Sequence, residues 1–426
     1  MTKQTDLRAE ATAARLAALS VPPGAPWATE ARQAARARLL AMGLPQRRDE
    51  YWRFTDPASL NAPDPAPAGV IADDESPLFA ATDPLRLTFE DGQLTGADGP
   101  AMHGATVETL AAATAADDHW AADLYGRLEA EGQAPVARPF AALATAFATQ
   151  GVAIRATGQA DRPVHLVRRH LDPGADALLR HVVRVEPGAS LTLLESGPIA
   201  ARATSVLEVD VAEGATFHHV RTQGRDRERR AATHVFARVG AGARYRSFTL
   251  TLNGALTRNE HVVTLAGEEA VAHVAGAAVG DGAFHHDDTV FVTHAAPGCE
   301  SRQVFKKVLR HGAVGVFQGK ILVRPGAQKT DGYQLSKALL LDDASQFLAK
   351  PELEIYADDV RCSHGSTAGG LDDAALFYLR SRGVPLADAR DLLSLAFLQE
   401  ALDEVADEGL AAELRGRIEA WLGRRR

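Results

Sequence analysis

The sequence predicts a mainly β fold, a β-solenoid, with helices at both ends. Between about Gly151 and Gly370, short segments alternate apolar and polar residues, as strands with one buried face do. Helical periodicity is confined to the regions before and after. Turn-forming glycines recur through the first part of the β region at intervals of 26, 28 and 25 residues, at Gly188, Gly214, Gly242 and Gly267. A regular interval of this length is typical of a solenoid, in which each coil buries its inner face against the next coil.

The repeat also has a recognisable turn phrase, which reads PGAS, EGAT, AGAR or PGAQ. It is imperfect, however, and a large antiparallel sandwich or barrel is the alternative fold. The absence of helical stripes over about two hundred residues is compatible with either architecture.

Residues 1–150 are expected to form a helical region that contains a proline-rich linker from Ala58 to Pro77. Apolar spacing, together with prolines and glycines at the ends, predicts its helices. They are Leu7 to Leu19, Ala28 to Met42, Val107 to Ala115, His119 to Glu131 and Pro139 to Gln150.

Residues 371–426 are expected to form a second helical domain. Asp372 can cap a helix that ends near Gly383. The next helix, from about Ala387, is expected to carry one apolar side formed by Ala389, Leu392, Leu393, Ala396, Phe397 and Ala401. A last helix shows apolar residues at a spacing of four, at Leu410, Leu414, Ile418 and Leu422. These helices could cap the end of the solenoid or form a docking module for another protein.

Composition excludes several classes of function. The net charge of −9 does not favour a nucleic-acid-binding protein, and no apolar run approaches the roughly 20 residues that span a bilayer. Two cysteines exclude a disulfide-rich secreted scaffold. The first residues include Asp6 and Glu10 and have no apolar stretch of the kind found in secretory signals. We therefore expect the protein in a reducing cytoplasm.

The segment PELEIYADDVRCSHG, Pro351 to Gly365, carries the candidate chemistry. Its second alternation places Val360, Cys362 and His364 on one face of a strand. A thiol and an imidazole two residues apart can bind the same metal ion, but structural zinc sites and iron–sulfur clusters usually need four ligands. Either Cys362 is a small hydrophobic core residue, or the two side chains form a half-site that a partner chain completes.

Three other motifs are set aside. The segment Gly315 to Ile321 lacks the glycine spacing and the hydroxyl residue of a phosphate-binding loop and favours a strand. The cluster Phe284 to Asp288 has metal-capable side chains, but a solvated loop is the favoured interpretation. Asp358 and Asp359 are adjacent, so a turn is a better assignment than a catalytic acid and base.

Four segments resemble the SufB/SufD family of iron–sulfur cluster assembly scaffolds, and its SufD branch in particular. They are GLPQRRDEYWRFTD from Gly43, the run from Val316 to Leu341, PELEIYADDVRCSHGST from Pro351, and FYLRSRGVP from Phe377. The similarity is densest from about Pro297 to Phe397. The presence of only Cys299 and Cys362 fits the SufD branch, because SufB-like chains usually carry more cysteines.

The resemblance implies a right-handed parallel β-helix over residues 151–370 and a multi-protein complex. SufD-like chains pair with a SufB-like chain through the ends of their β-helices, and each C-terminal helical domain holds a SufC-like ATPase. A nascent iron–sulfur cluster, or iron, would be held transiently between the two scaffold chains, with His364 as this chain's ligand and Cys362 as a second candidate. The residues expected to face the ATPase are Phe377, Tyr378, Arg380, Arg382, Leu392 and Phe397.

The expected function is thus a non-catalytic scaffold subunit. The open edge of a β-helix would allow a homodimer when the partner is absent, but the sequence does not decide between self-pairing and a heteromer. Two competing hypotheses are a β-helix carbohydrate-active enzyme, which should carry stacked carboxylates or aromatic residues along one face, and a structural interaction protein that binds no metal.

Overall fold

Consecutive strands of the central region alternate between two parallel sheets, as a solenoid requires. The computed structural model describes residues 2–70, 77–224 and 226–423. Within them, sheet 1 contains, in spatial order, β19 (Arg361–Gly369), β17 (Asp331–Leu340), β15 (Glu300–Arg310), β13 (Val271–Asp281), β11 (Arg244–Leu252), β9 (Thr216–Gly224), β7 (Ser190–Ser196), β5 (Val164–Arg169), β1 (Leu85–Glu90) and β2 (Gln93–Asp98).

Sheet 2 lies opposite and contains the alternate strands. In spatial order the described part of the chain contributes β18 (Gln346–Ile355), β16 (Val314–Val323), β14 (His285–His294), β12 (Leu256–Leu265), β10 (Arg230–Val239), β8 (Arg202–Val211), β6 (Asp176–Val185), β4 (Val152–Ala156) and β3 (Ala105–Thr109). From β4 onwards, neighbouring strands pair in parallel register. The solenoid is therefore confirmed, and the antiparallel sandwich and barrel are excluded.

The predicted turn glycines lie where one sheet gives way to the other. Gly188, Gly214 and Gly242 have φ values of 69°, 64° and 59°, which glycine adopts without steric cost. The turns also stack, because the amide of Gly188 donates to the carbonyl of Glu213 at 2.9 Å. Gly214 and Gly242 donate to the turns that follow them at 2.8 Å in the same way.

The space between the sheets is divided into an apolar part and a polar part. Phe217, Tyr245 and Val274 belong to the apolar part and are fully buried. The polar part runs beside it along the axis and includes His219, which faces Ser247 across adjacent strands. Burial lowers the pKa of the interior residue His261 to about 3, so its imidazole is neutral at pH 7.

The assignment of Phe284 to Asp288 to a solvated loop is wrong. His286 and Asp288 lie on β14, are 2% and 4% exposed, and face the polar part of the interior. The Nζ of Lys307 lies 2.8 Å from His286 Nδ1 and 2.6 Å from Asp288 Oδ2. The period-two pattern continues through these polar residues because the inner face of the coil is itself polar at this position.

Most of the N-terminal helices pack on the outer face of sheet 2. The helices are α1 (Thr2–Leu16), α2 (Pro26–Met42), α3 (Ala58–Asn61), α4 (Leu110–Ala115), α5 (Arg127–Glu131) and α6 (Pro139–Phe147), with 3₁₀ turns at Glu50–Trp52, Ala80–Thr82 and Trp120–Asp123. Helix α6 contacts β6, β8 and β10. Strands β1 to β3 also lie in this region, which was expected to be helical. Of the predicted linker, Ala58–Asn61 is helical and residues 71–76 lie outside the described residues.

The segment from Gly43 to Asp56 is clamped to sheet 2 by a buried arginine. The guanidinium of Arg258 donates to the carbonyl of Tyr51 at 2.8 Å, to Glu260 at 2.7 Å and to Asp287 at 2.5 Å. Its Cζ also lies 4.2 Å from the ring centroid of Trp52. Arg258 is on β12 and Asp287 on β14, so this one side chain joins two coils to the N-terminal segment.

The C-terminal helices are α7 (Asp373–Ser381), α8 (Leu386–Leu402) and α9 (Glu408–Gly423). Helices α8 and α9 cover the outer face of sheet 1 and do not cap the end of the solenoid. Helix α8 packs on β13 and β15, and α9 on β11. All four apolar residues predicted for the last helix, Leu410, Leu414, Ile418 and Leu422, are buried.

The prediction of which residues form the apolar side of α8 is partly wrong. Ala389 and Ala401 are buried, but Leu392 is 50% exposed and Ala396 is exposed. The face that meets the sheet carries Leu395, Leu398 and Leu402 instead, with a spacing of three and four residues. In the described residues, no helix has the length and apolarity needed to cross a membrane.

The Arg258 cluster yields a stability prediction. Arg258→Met leaves Glu260 and Asp287 as buried carboxylates without this cation, so the free energy of unfolding should fall by about 3–5 kcal/mol. Arg238→Met is the control, since Arg238 pairs with Asp210 at 2.8 Å but is 38% exposed. That variant should lose less than about 1 kcal/mol. Urea denaturation measures the free energy of unfolding of both variants. Equal decreases would contradict the stabilising role of Arg258.

Candidate metal half-site at the open end of the solenoid

The solenoid ends in a coil that has no successor among the described strands. Strands β18 and β19 are the last members of their sheets, and each has a sheet neighbour on one side only. Every residue of β18 and β19 is at least partly exposed, whereas most of β16 and β17 is buried. A free strand edge presents unpaired backbone N–H and C=O groups, to which another strand can pair.

Cys362 and His364 lie on the inner face of β19, as the alternation predicted. Cys362 is in register with Gly332 on β17, and His364 is in register with Gln334. The structure therefore brings the two candidate ligands together on one face of the terminal strand. Asp358 and Asp359 form the bend before β19, which confirms the turn assignment.

Cys362 faces an apolar group of side chains. It packs with Ile321, Val323 and Leu353 inside the last coil. Gly332 makes this possible, because a Cβ atom there would come within 3.3 Å of the Cys362 sulfur. Burial raises the pKa of the Cys362 thiol, so the side chain is protonated at neutral pH unless a cation displaces the proton.

His364 has a different environment, although it is only two residues further along the strand. Its side chain is exposed, while its register partner Gln334 is fully buried. The imidazole is therefore accessible to a second protein that approaches the open coil. A histidine enclosed in the apolar interior would have been useless to such a partner.

The donor set on this chain is incomplete for a metal site. The described residues contain no group of three or more histidine, cysteine, aspartate or glutamate side chains that could hold a metal ion. Cys362 and His364 supply two ligands, and a tetrahedral iron or zinc site needs four. The residue types suit iron, and a complete site would need further ligands in addition to these two side chains.

The predicted ATPase-facing residues lie on helices α7 and α8 and at the end of α7, not on strand β19. Helix α7 buries no residue, and Phe377 and Tyr378 are 75% and 55% exposed. Arg382 stacks on the Tyr378 ring at 4.3 Å, and Arg380 donates to the carbonyl of Val384 at 3.0 Å.

The other two residues of that set differ from each other. Leu392 is exposed and lines a groove between α8 and α9 together with Leu395 and Leu422, and acidic residues line the same groove at Asp388, Asp391 and Glu419. Phe397 is half-buried under Lys306, whose Nζ lies 4.5 Å from the ring centroid. Phe397 therefore already makes a contact within this chain, with Lys306.

Sequence reasoning missed the polar side chains that lead to the half-site. Gln303 and Gln334 occupy consecutive coils, are fully buried, and are joined by a hydrogen bond of 2.9 Å from Gln334 Nε2 to Gln303 Oε1. The alternation of β15 and β17 places them on the inner face. The same alternation could have identified both glutamines as inner residues. It did not, because we expected inner positions of the strands to be apolar.

The fold and this site define a class of protein, a β-solenoid whose open terminal coil carries two candidate metal ligands. Residues 171–397 match the family described as SUF system FeS cluster assembly, SufBD core domain. The match covers more than half of the chain. The chain belongs to the SufBD family.

Individual relatives agree with this assignment. The chain is 31% identical to the iron–sulfur cluster assembly protein SufD of Escherichia coli over 400 residues, which cover 89% of this chain and 90% of that protein. It is 32% identical to an iron–sulfur cluster assembly SufBD family protein of Synechocystis over 415 residues, covering 90% and 89%. For SufD of Bacillus subtilis the identity is 27% over 270 residues, 61% of each chain.

The two cysteines should differ in reactivity. Cys362 is partly exposed and Cys299 is buried, so iodoacetamide should label Cys362 first in the native protein. Burial raises the pKa of Cys362, so its rate at pH 7.5 should be below that of a free cysteine and should still be increasing above pH 9. Mass spectrometry of the labelled peptides measures this. The Cys362→Ser variant is the control, and faster labelling of Cys299 would contradict the structure.

Proposed function

We propose that this chain is the SufD-type scaffold subunit of a Suf iron–sulfur cluster assembly complex. In that complex, the open coil meets a SufB-like chain, and His364 binds a nascent cluster or iron that both chains share. The observation that carries the proposal is the position of His364, exposed on the inner face of the terminal strand beside a second candidate ligand. The named relatives are iron–sulfur cluster assembly proteins.

The chemistry of the half-site supports transient binding. A neutral imidazole nitrogen ligates iron, and thiolates from the partner would complete the coordination shell. Cys362 is the weaker ligand of the two, because its buried thiol must lose a proton before it can bind. Two ligands do not retain a cluster without the partner, so release follows when the two chains separate.

The C-terminal helical domain, residues 371–426, is the proposed site for a SufC-like ATPase. Helix α7 presents Phe377 and Tyr378 to solvent, and the adjacent groove is lined by leucines and carboxylates. An aromatic or aliphatic anchor flanked by basic residues would complement this surface. The proposal assigns nucleotide hydrolysis to the ATPase and a non-catalytic role in the cytoplasm to this chain, whose segment Gly315–Ile321 is part of β16.

The proposal also includes a homodimer. When the SufB-like chain is absent, two copies of this chain would pair through their free β18 and β19 edges.

The competing function is that of a structural protein that binds no metal. The iron content of the reconstituted complex distinguishes this function from cluster assembly.

His364→Ala should abolish cluster assembly in cells while the complex still forms, because it removes a ligand from an exposed position and no packing contact. The measurement is the activity of iron–sulfur enzymes in a strain that depends on this chain, together with affinity purification of the complex. Ser363→Ala is the matched control, since Ser363 is exposed on the opposite face of the same strand. Normal maturation of iron–sulfur enzymes in the His364 variant would refute the metal role.

Replacing Phe377 and Tyr378 with serine should release the ATPase from the complex without unfolding this chain, because α7 buries no residue. Removing all of residues 371–426 is a poorer test, since α8 and α9 cover apolar residues of sheet 1 such as Phe248 and Leu250. Leu171→Ser is the control, with a leucine that is 46% exposed and far from α7 in the sequence. Co-purification measures the outcome, and undiminished ATPase would argue against docking at α7.

A further inference from the structure

A ladder of two buried glutamines leads to His364 along the solenoid axis. Gln303 on β15 is in register with Gln334 on β17, and Gln334 is in register with His364 on β19. All three lie on the inner faces of consecutive coils. Both glutamines are fully buried, whereas the histidine is exposed.

Gln334 has a hydrogen bond on one side of its amide group and none on the other. Gln334 Nε2 donates to Gln303 Oε1 at 2.9 Å, on the side of the preceding coil. Gln334 Oε1 is buried and has no hydrogen-bond partner. An unsatisfied buried acceptor costs about 1–3 kcal/mol, so such groups are normally paired. On the following coil, the register partner of Gln334 is His364.

The surroundings of Gln334 are shaped to hold its amide. A Cβ atom at Gly319 on β16 would lie 2.0 Å from Gln334 Nε2 and 2.6 Å from its Cδ. Only glycine at position 319 leaves room for the amide in this position. The site is therefore built from both sheets, with the glutamine from sheet 1 and the space from sheet 2.

We infer that Gln334 is a positioning residue for His364: when the exposed imidazole turns toward the interior of the coil, the free amide oxygen of Gln334 accepts a hydrogen bond from one ring nitrogen and so leaves the other with its lone pair directed to the metal. This rests on the proposed function of His364. Histidines that bind metals commonly donate their second ring N–H to an oxygen acceptor, which fixes the tautomer and the orientation of the ring. A side-chain amide oxygen supplies that acceptor here without adding a charge.

The first test observes the tautomer directly and needs no metal. The full chain is labelled with ¹⁵N-histidine and studied by NMR at about pH 8.5, where histidines of ordinary pKa are neutral. His364→Ala identifies the His364 signals among the 15 histidines. Wild type should show one protonated and one unprotonated ring nitrogen, and Gln334→Met should move both shifts toward the averaged values of a freely exchanging imidazole. Averaged shifts in wild type, or unchanged shifts in Gln334→Met, would overturn the inference.

Two variants separate positioning from simple structural support. Gln334→Glu keeps an acceptor oxygen and should retain the single tautomer, and it also provides a result if the methionine variant does not fold. Loss of the single tautomer in Gln334→Glu would count against the inference. Gln318→Met is the matched control, because Gln318 is equally buried on β16 but bonds to Tyr51 and Asp287 on the outer face. The ¹⁵N shifts of His364 in Gln318→Met should equal those of wild type. If they change, the loss of any buried amide alters the His364 tautomer, and the effect is not specific to Gln334.

The second test measures iron binding by the reconstituted complex. Gln334→Met should weaken iron affinity roughly 10- to 100-fold, the usual effect of removing such a partner, and Gln334→Glu should restore it. If His364→Ala leaves iron binding intact, the proposed function fails, whatever Gln334 does. If His364→Ala abolishes binding but Gln334→Met has wild-type affinity, only the present inference fails.

Discussion

Each coil of a solenoid buries its inner face only against the next coil, and this constraint shapes the rest of the molecule. Along the middle of the chain the constraint is satisfied, because residues such as Phe217 and Tyr245 are covered on both sides. At β18 and β19 it is not satisfied, and the last coil keeps a free edge and a half-covered interior. Hence this is where a partner can add strands and where a proposed ligand such as His364 is accessible to that partner.

The remaining elements pack on the outer faces of the two sheets. On sheet 2, the N-terminal segment runs across successive strands, bonded to Arg258 on β12, Gln318 on β16 and Lys350 on β18. On sheet 1, the helices α8 and α9 cover the outer apolar face. Strands β18 and β19 remain as free edges at this end of the two sheets. The surface proposed for the ATPase lies on helix α7, whereas the proposed half-site lies on strand β19.

The sequence predicted the solenoid well because its signals are local. Turn glycines such as Gly214 and period-two alternation depend on residues close in the chain, and they identified the β region and the face shared by Cys362 and His364. The sequence analysis did not predict β1 to β3. Strands β1 and β2 form a local hairpin across Asp91 and Gly92, whereas β1 pairs with β5 and β3 with β4 farther along the chain. It also misassigned His286 and Asp288, because burial of polar residues depends on partners such as Lys307 on a neighbouring coil. The error in the apolar face of α8 has the same cause, because contact with sheet 1 determines which residues of the helix are buried.

The site was predictable in part for the same reason. Spacing along one strand placed two ligands together, and resemblance gave His364 its proposed role. The glutamine ladder could not be read from spacing, because Gln303 and Gln334 are 31 residues apart and meet only through the register of β15 and β17. Such cross-coil contacts are the part of the site that requires a structure.

The most direct test of the account is pulsed EPR of a paramagnetic cluster or iron centre on the reconstituted complex, with ¹⁵N-histidine incorporated only into this chain. The account predicts a nitrogen hyperfine coupling from directly bound ¹⁵N that disappears in His364→Ala and persists in Ser363→Ala. A spectrum without ¹⁵N coupling, or one unchanged by the loss of His364, would contradict it.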